Sequence, residues 1–134
     1  MAFMKWDDSF SVGVGEIDRQ HQRLIDMINE FYEQIEKDPQ QAFEALLGAL
    51  VEYTRYHFST EERYFRLFRY PDAERHEEAH RKFAEKVVDV RRRLAGGQLV
   101  VSLEVTMFLK EWLTEHIKGV DKAYSRYFNE HGLS

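Results

Sequence analysis

Apolar residues recur at steps of three and four through almost all of this 134-residue chain. That spacing fits the 3.6-residue period of an α-helix and not the two-residue period of a strand. The cleanest run is Ala73, His76, His80, Phe83, Val87, Val90 and Leu94, where threes and fours alternate. An earlier run holds His21, Leu24, Ile25, Ile28, Tyr32 and Ile35, and a longer one Phe43, Leu46, Leu47, Leu50, Thr54, His57, Glu61, Tyr64, Phe65 and Phe68. The last carries Val105, Leu109, Trp112, Leu113, His116, Val120, Ala123, Tyr124 and Tyr127.

The breaks fall between these runs. The two prolines are Pro39 and Pro71. Asp38 followed by Pro39 reads as a helix cap with proline at the first helical position, and Tyr70-Pro71-Asp72 reads as a stop. Gly96-Gly97 ends the third run, Ser102 is a plausible cap for the fourth, and Asp18 for the first. The expected helices are therefore about 18–37, 39–69, 72–95 and 102–129. They follow an arm of about 17 residues that has no clear period and is expected to pack across the others. Leu99 to Val101 could pass for a strand but is too short to matter. Four amphipathic helices joined by short breaks predict an all-α, up-down-up-down four-helix bundle with an N-terminal arm, formed by residues 1–134 as a single domain.

Composition narrows the function. The formal charge of -5 argues against a general nucleic-acid binder. The basic run Arg91-Arg92-Arg93 reads as a solvated helix end, where cations suit the helix dipole. With no cysteine, disulfides, iron–sulfur clusters and thiolate zinc sites are excluded. Met1 to Trp6 lacks the apolar core of a secretion signal, and no segment reaches membrane-spanning length. A cytoplasmic protein that does not insert into membranes is expected. The outward faces show no apolar seam, so a monomer is expected.

The histidines depart from the amphipathic rule. Of six, five lie on apolar stripes: His21, His57, His76, His80 and His116. If a stripe takes three of seven positions, chance places all five there roughly once in seventy. Glu61 shares the stripe of His57, one turn later, although burying a carboxylate is costly unless it is paired or metal-bound. A lone inward histidine is an ordinary hydrogen-bonded core residue. Five from four helices converge on one axis, and an imidazole-rich set with carboxylates suits zinc, copper, nickel or iron. Asp121 is different. Five residues beyond His116, it falls about 140° away on a regular helix and reads as surface. Only a distortion, which Gly119 would tolerate, brings it inward. His131 reads as exposed.

His76-Glu77-Glu78-Ala79-His80 matches H-E-x-x-H, the zinc peptidase signature, in which the glutamate is a general base. The match is short, and it leaves His21, His57, Glu61 and His116 without a role. Its useful content is that His76 and His80 point at one metal.

Together the motifs Ser11-Val12-Gly13-Val14, Ile17-Asp18-Arg19-Gln20-His21, His57-Phe58-Ser59-Thr60-Glu61, His76 to His80, and Trp112-Leu113-Thr114-Glu115-His116-Ile117 followed by Asp121 make the chain resemble the hemerythrin family, in particular its bacterial single-domain members. They occur in order along nearly the whole chain. The resemblance implies two iron ions. His76, His80 and His116 would ligate one, His21 and His57 the other, and Glu61 and Asp121 would bridge them with an oxo or hydroxo group. Dioxygen would bind at the iron with the open position. Leu24, Phe58, Trp112 and Leu113 match pocket positions, with ordinary core packing an equal reading for Leu24 and Phe58. A reversible dioxygen binder for storage, delivery or supply is expected, and not an enzyme. Di-iron oxidases use more glutamates, and no catalytic constellation is evident on the stripes. The alternatives are an oxygen or redox sensor module and a di-iron peroxidase or nitric-oxide-handling enzyme.

Overall fold

The computed structural model describes the backbone of residues 3–34, 39–95 and 102–134, with the side chains of 39–46, 94–95, 102–104 and 106 excepted. A short 3-10 turn, Asp8–Phe10, precedes α1 (Gly15–Gln34), α2 (Pro39–Phe68) and α3 (Ala73–Ala95). A fourth helix follows in three parts: α4 (Ser102–Glu115), a π-helical turn (His116–Asp121) and α5 (Lys122–Glu130). No strand occurs among the described residues. The molecule is an all-α four-helix bundle, with α1 packed on α2 and α4, and α2 on α3. The expected cap at Asp38, the first helix's end near Lys37, the Gly96-Gly97 stop and the Leu99–Val101 stretch lie outside the described residues, as do the side chains of Ile35, Phe43, Leu46, Leu94 and Ser102.

The core is built from the stripes. Leu24, Ile25 and Ile28 of α1, Leu47, Leu50 and Phe65 of α2, Phe83, Val87 and Val90 of α3, and Leu109 and Leu113 of α4 are buried. Burial of each such side chain contributes about 1.5–3 kcal/mol. The stripe changes after His116. A regular helix would bury Val120 and Tyr127, but Asp121 and Phe128 are buried in their place. Asp121 replaces Val120 and Phe128 replaces Tyr127, a shift of one residue, which is what one π turn does to the register beyond it, while Tyr124 stays buried. Arg91, Arg92 and Arg93 are exposed near the end of α3, as expected.

The first helix starts at Gly15, before Asp18, and Asp18 is not its cap. Its carboxylate turns back, accepting hydrogen bonds from Val12 N (2.8 Å) and Ser11 Oγ (2.6 Å). This ties the arm to the first turn. Gly13, at φ 73°, lies against the fourth helix, where its carbonyl accepts from Asn129 Nδ2 (2.9 Å). The arm runs along α1: Met4 and Asn29 exchange two hydrogen bonds of 2.7 and 2.8 Å, and Phe3 stacks on Tyr32. Met4, Phe10, Val12 and Val14 are buried, and Lys118 of the π turn sits over the Phe10 ring.

The second helix ends at Phe68, and Arg69 follows as a non-glycine residue at φ 51°. Tyr70 N closes the turn by donating to Phe65 O (2.9 Å), and Tyr127 Oη donates to the freed carbonyls of Phe68 and Arg69. Pro71 then prevents continuation.

Candidate metal centre

The helices bring all seven predicted ligands to one place. His57 and Glu61 stand one turn apart on α2, and His76 and His80 one turn apart on α3. His21 comes from α1, and His116 and Asp121 from the two ends of the π turn. All seven are buried, with His21, Glu61 and Asp121 at 0% exposure. The distortion that Asp121 needed is present. Closing hydrogen bonds at i→i+5 places the sixth residue over the first, and Asp121 Oδ1 lies 3.0 Å from His116 Nε2. Gly119 is not its steric cause, because a Cβ built there meets nothing within 4 Å.

Two donor groups share both carboxylates. One is Glu61, His76, His80, His116 and Asp121, the other His21, His57, Glu61 and Asp121. Within each group the donor atoms lie within 4.8 Å of one another. Glu61 Oε1 is 3.1 Å from His57 Nε2 and 3.2 Å from His80 Nε2. Asp121 Oδ1 is 2.7 Å from His76 Nε2, and its Oδ2 is 3.0 Å from His21 Nε2.

These contacts are close without being aligned as hydrogen bonds. Glu61 Oε1, both Asp121 oxygens and the Nε2 atoms of His76, His80 and His116 are buried with no hydrogen-bond partner. Leaving so many polar atoms unsatisfied costs about 1–3 kcal/mol each, and more for charged groups. Within each donor group these atoms converge on a shared point, and His21 Nε2 and His57 Nε2 meet in hydrogen-bond geometry at 3.0 Å. A cation at each point satisfies them, and the imidazole and carboxylate set fits a borderline metal such as iron or zinc.

The electrostatics favour the binding forms of both carboxylates and of His21 and His80, while His116 is drawn toward its protonated form. Burial and Asp121 push the Glu61 carboxyl up, but His57 and His80 outweigh them and hold it below its usual range. Burial likewise opposes ionisation of Asp121, but His116, His21 and His76 prevail and hold it well below. Burial lowers His21 and His80, which favours neutral imidazoles. At His116 burial pulls down, but Asp121 pulls harder and raises it.

Gln20, Thr60 and Tyr124 surround the donors and were not among the predicted site residues. Gln20 Oε1 accepts from His57 Nδ1 (2.7 Å), while its Nε2 donates to Thr60 Oγ1 (3.2 Å). Tyr124 Oη donates to Glu61 Oε2 (2.6 Å), and burial with the nearby Glu61 keeps its phenol well above its ordinary value. Gln20 and Thr60 carried a usable signal, because both are polar residues at stripe positions.

An apolar cavity of ≈ 10 Å³ adjoins the centre at His57 and His116. Leu24, Phe58, Trp112 and Leu113 all line it, with Ile28, Thr54 and Phe83. Two of them also brace ligands: Phe58 stacks on His80 (3.7 Å) and Trp112 on His116 (4.4 Å). His131 is exposed and away from the centre. Glu77, the base a peptidase would need, is not part of either donor group. No helix among the described residues is long and apolar enough to cross a membrane.

Fold and site together define the class: a four-helix-bundle protein with a buried histidine and carboxylate cluster that could hold metal. Residues 12–128 match the family described as Hemerythrin HHE cation binding domain. A bacteriohemerythrin of Stenotrophomonas maltophilia is 32% identical over 131 residues, covering 98% of this chain and 85% of that protein. One from Methylococcus capsulatus is 31% identical, covering 92% and 95%. A hemerythrin-like protein of Naegleria gruberi is 33% identical, covering 89% and 88%. A crystal structure of wild-type hemerythrin superposes with a TM-score of 0.88 at 30% identity, covering 93% of this chain and 97% of that one. The chain belongs to the hemerythrin family.

Proposed function

We propose that this protein holds two iron ions and reversibly binds dioxygen, as a cytoplasmic monomer that stores, delivers or supplies it and not as an enzyme. The observation that carries this reading is the pair of donor groups sharing Glu61 and Asp121 beside an apolar cavity. His76, His80 and His116 would hold one ion and His21 and His57 the other, with both carboxylates shared. The second ion has one protein donor fewer, and its ligand His57 lines the cavity. A pair of iron ions held there supplies two electrons reversibly to dioxygen.

The protein's own side chains do the rest. Leu24, Phe58, Trp112 and Leu113 exclude water and protons from the cavity. Gln20 fixes the ring of His57, and Tyr124 fixes Glu61. Imidazoles outnumber carboxylates five to two. That leaves the iron pair less able to reach the high oxidation states that break the O–O bond, and so favours a carrier over an oxidase.

The test is metal analysis followed by optical titration. Two irons per chain are expected. Reduction under nitrogen and admission of air should produce a visible band that disappears on degassing. One zinc per chain, or irreversible bleaching with turnover of peroxide, would overturn the reading.

A further inference from the structure

A second apolar cavity, of ≈ 40 Å³, lies between α2 and α3. Val51, Val87 and Val88 line it, with Arg55 and Ala84 exposed at its rim. It shares Thr54, Phe58 and Phe83 with the cavity at the metal centre. The two spaces are therefore two sides of one wall, a single layer of side chains thick. That wall is apolar in effect. Thr54 Oγ1 donates to Leu50 O (2.7 Å), so its hydroxyl is spent inside α2. Phe58 and Phe83 meet edge to face at 6.0 Å.

We propose that the α2–α3 cavity is a binding station for a small apolar gas and the entry route by which dioxygen reaches the inner cavity. The last step rests on the dioxygen reading above, but the station itself rests only on the cavity's size and lining. A space of this volume admits a diatomic gas or a noble-gas atom. Water would find no unpaired buried polar group there, and such apolar cavities stay dry and take up xenon. Arg55 at the rim is paired with Glu52 (3.8 Å).

The test uses xenon as probe and Ala84→Trp as the plug. Ala84 is exposed on α3, so the variant keeps the fold, which circular dichroism checks. Xenon-pressurised crystals of the metal-loaded protein should show an atom between Val51 and Val87 that Ala84→Trp removes. In the reduced iron protein, stopped-flow should show dioxygen association and dissociation both slowed roughly tenfold, with affinity unchanged, because a blocked route alters rates and not end states. Leu67→Trp, on an exposed face of α2 outside the cavity, should leave both rates unchanged. Absence of xenon from the cavity overturns the station. Rates unchanged in Ala84→Trp, with xenon displaced, overturn the route. A wild-type protein that takes up no dioxygen overturns the functional reading instead, and xenon occupancy then still decides the station.

Discussion

His57 Nδ1 donates to Gln20 Oε1 across 2.7 Å, and this contact decides which of its nitrogens faces the metal centre. The assignment follows from the partners. Gln20 Nε2 donates to Thr60 Oγ1, and that hydroxyl donates to Tyr56 O, so the amide oxygen is the end turned to the ring. Nδ1 then carries the proton, and the Nε2 lone pair points inward. Gln20→Leu removes the acceptor and leaves a buried N–H without a partner. Unfolding stability should fall by about 1–3 kcal/mol and metal affinity by about 10–100-fold. Gln20→Glu restores the acceptor and should recover most of the affinity. Denaturant melts and metal titration read both, and wild-type affinity in Gln20→Leu would refute the role.

Tyr124→Phe keeps the ring that packs on Phe128 and removes only the hydroxyl donated to Glu61. A hydrogen bond to a charged group contributes about 1.5–3 kcal/mol, so a loss of that size is expected. The iron-loaded variant should also show a shifted visible spectrum, because the shared carboxylate is no longer held at Oε2. An unchanged spectrum would mean the phenol only fills space.

Two glycine-to-alanine substitutions should have opposite signs. At Gly119 a Cβ meets nothing, so Gly119→Ala should be neutral or stabilising by up to about 1 kcal/mol with metal content unchanged. At Gly13 the backbone is left-handed, and a Cβ would stand 2.8 Å from Ser125 Oγ. Gly13→Ala should cost at least about 1–2 kcal/mol. Thermal unfolding compares them directly, and a costly Gly119→Ala would show that the π turn does need glycine.

Metal-free protein should lose stability on acidification. Burial holds His21 and His80 below their ordinary value of 6.5, so the unfolded chain takes up their protons first. Their contribution is complete above that value and is lost as the pH falls below it. His116, raised by Asp121, acts at higher pH: its stabilisation is complete below 6.5 and disappears as the pH rises through its folded value, so it does not offset their loss. Below 6.5 the decline from His21 and His80 is therefore unopposed by His116. Glu61 and Asp121, held low by their histidines, add a second decline as the pH falls below their ordinary values of 4.5 and 3.8. Protons also compete with metal for these donors, so affinity should fall in parallel. Denaturant midpoints measured across this range would contradict the scheme if they rose.

Much of this architecture can be read in the residue spacing. The pairs His57 with Glu61 and His76 with His80 follow from the i,i+4 geometry of a helix, and His21 and His116 from their places on apolar stripes. Asp121 does not follow, because periodicity assumes the α-helical hydrogen-bond pattern and the chain departs from it at that point. The same departure misplaces Val120 and Tyr127. The start of α1 departs from the spacing for another reason: Asp18 has the chemistry of a cap but spends its carboxylate on the arm. Gln20 and Tyr124 act through partners on other helices, and single-helix patterns do not report partners.

A change in the length of a helix is ordinarily a change of face, since each residue added or removed swings everything beyond it through about 100°. Deleting a residue between Leu109 and Trp112 would carry His116 away from the other donors. The π turn at His116–Asp121 is the exception along the fourth helix. It already holds one residue more than an α-helical span needs, so a single deletion within 117–120 restores plain α-helix and leaves Asp121 and Tyr124 facing inward. The aspartate would then stand four residues from His116, the spacing His57 and Glu61 use on α2. One place in the fourth helix can therefore gain or lose a codon without turning the site away from the core.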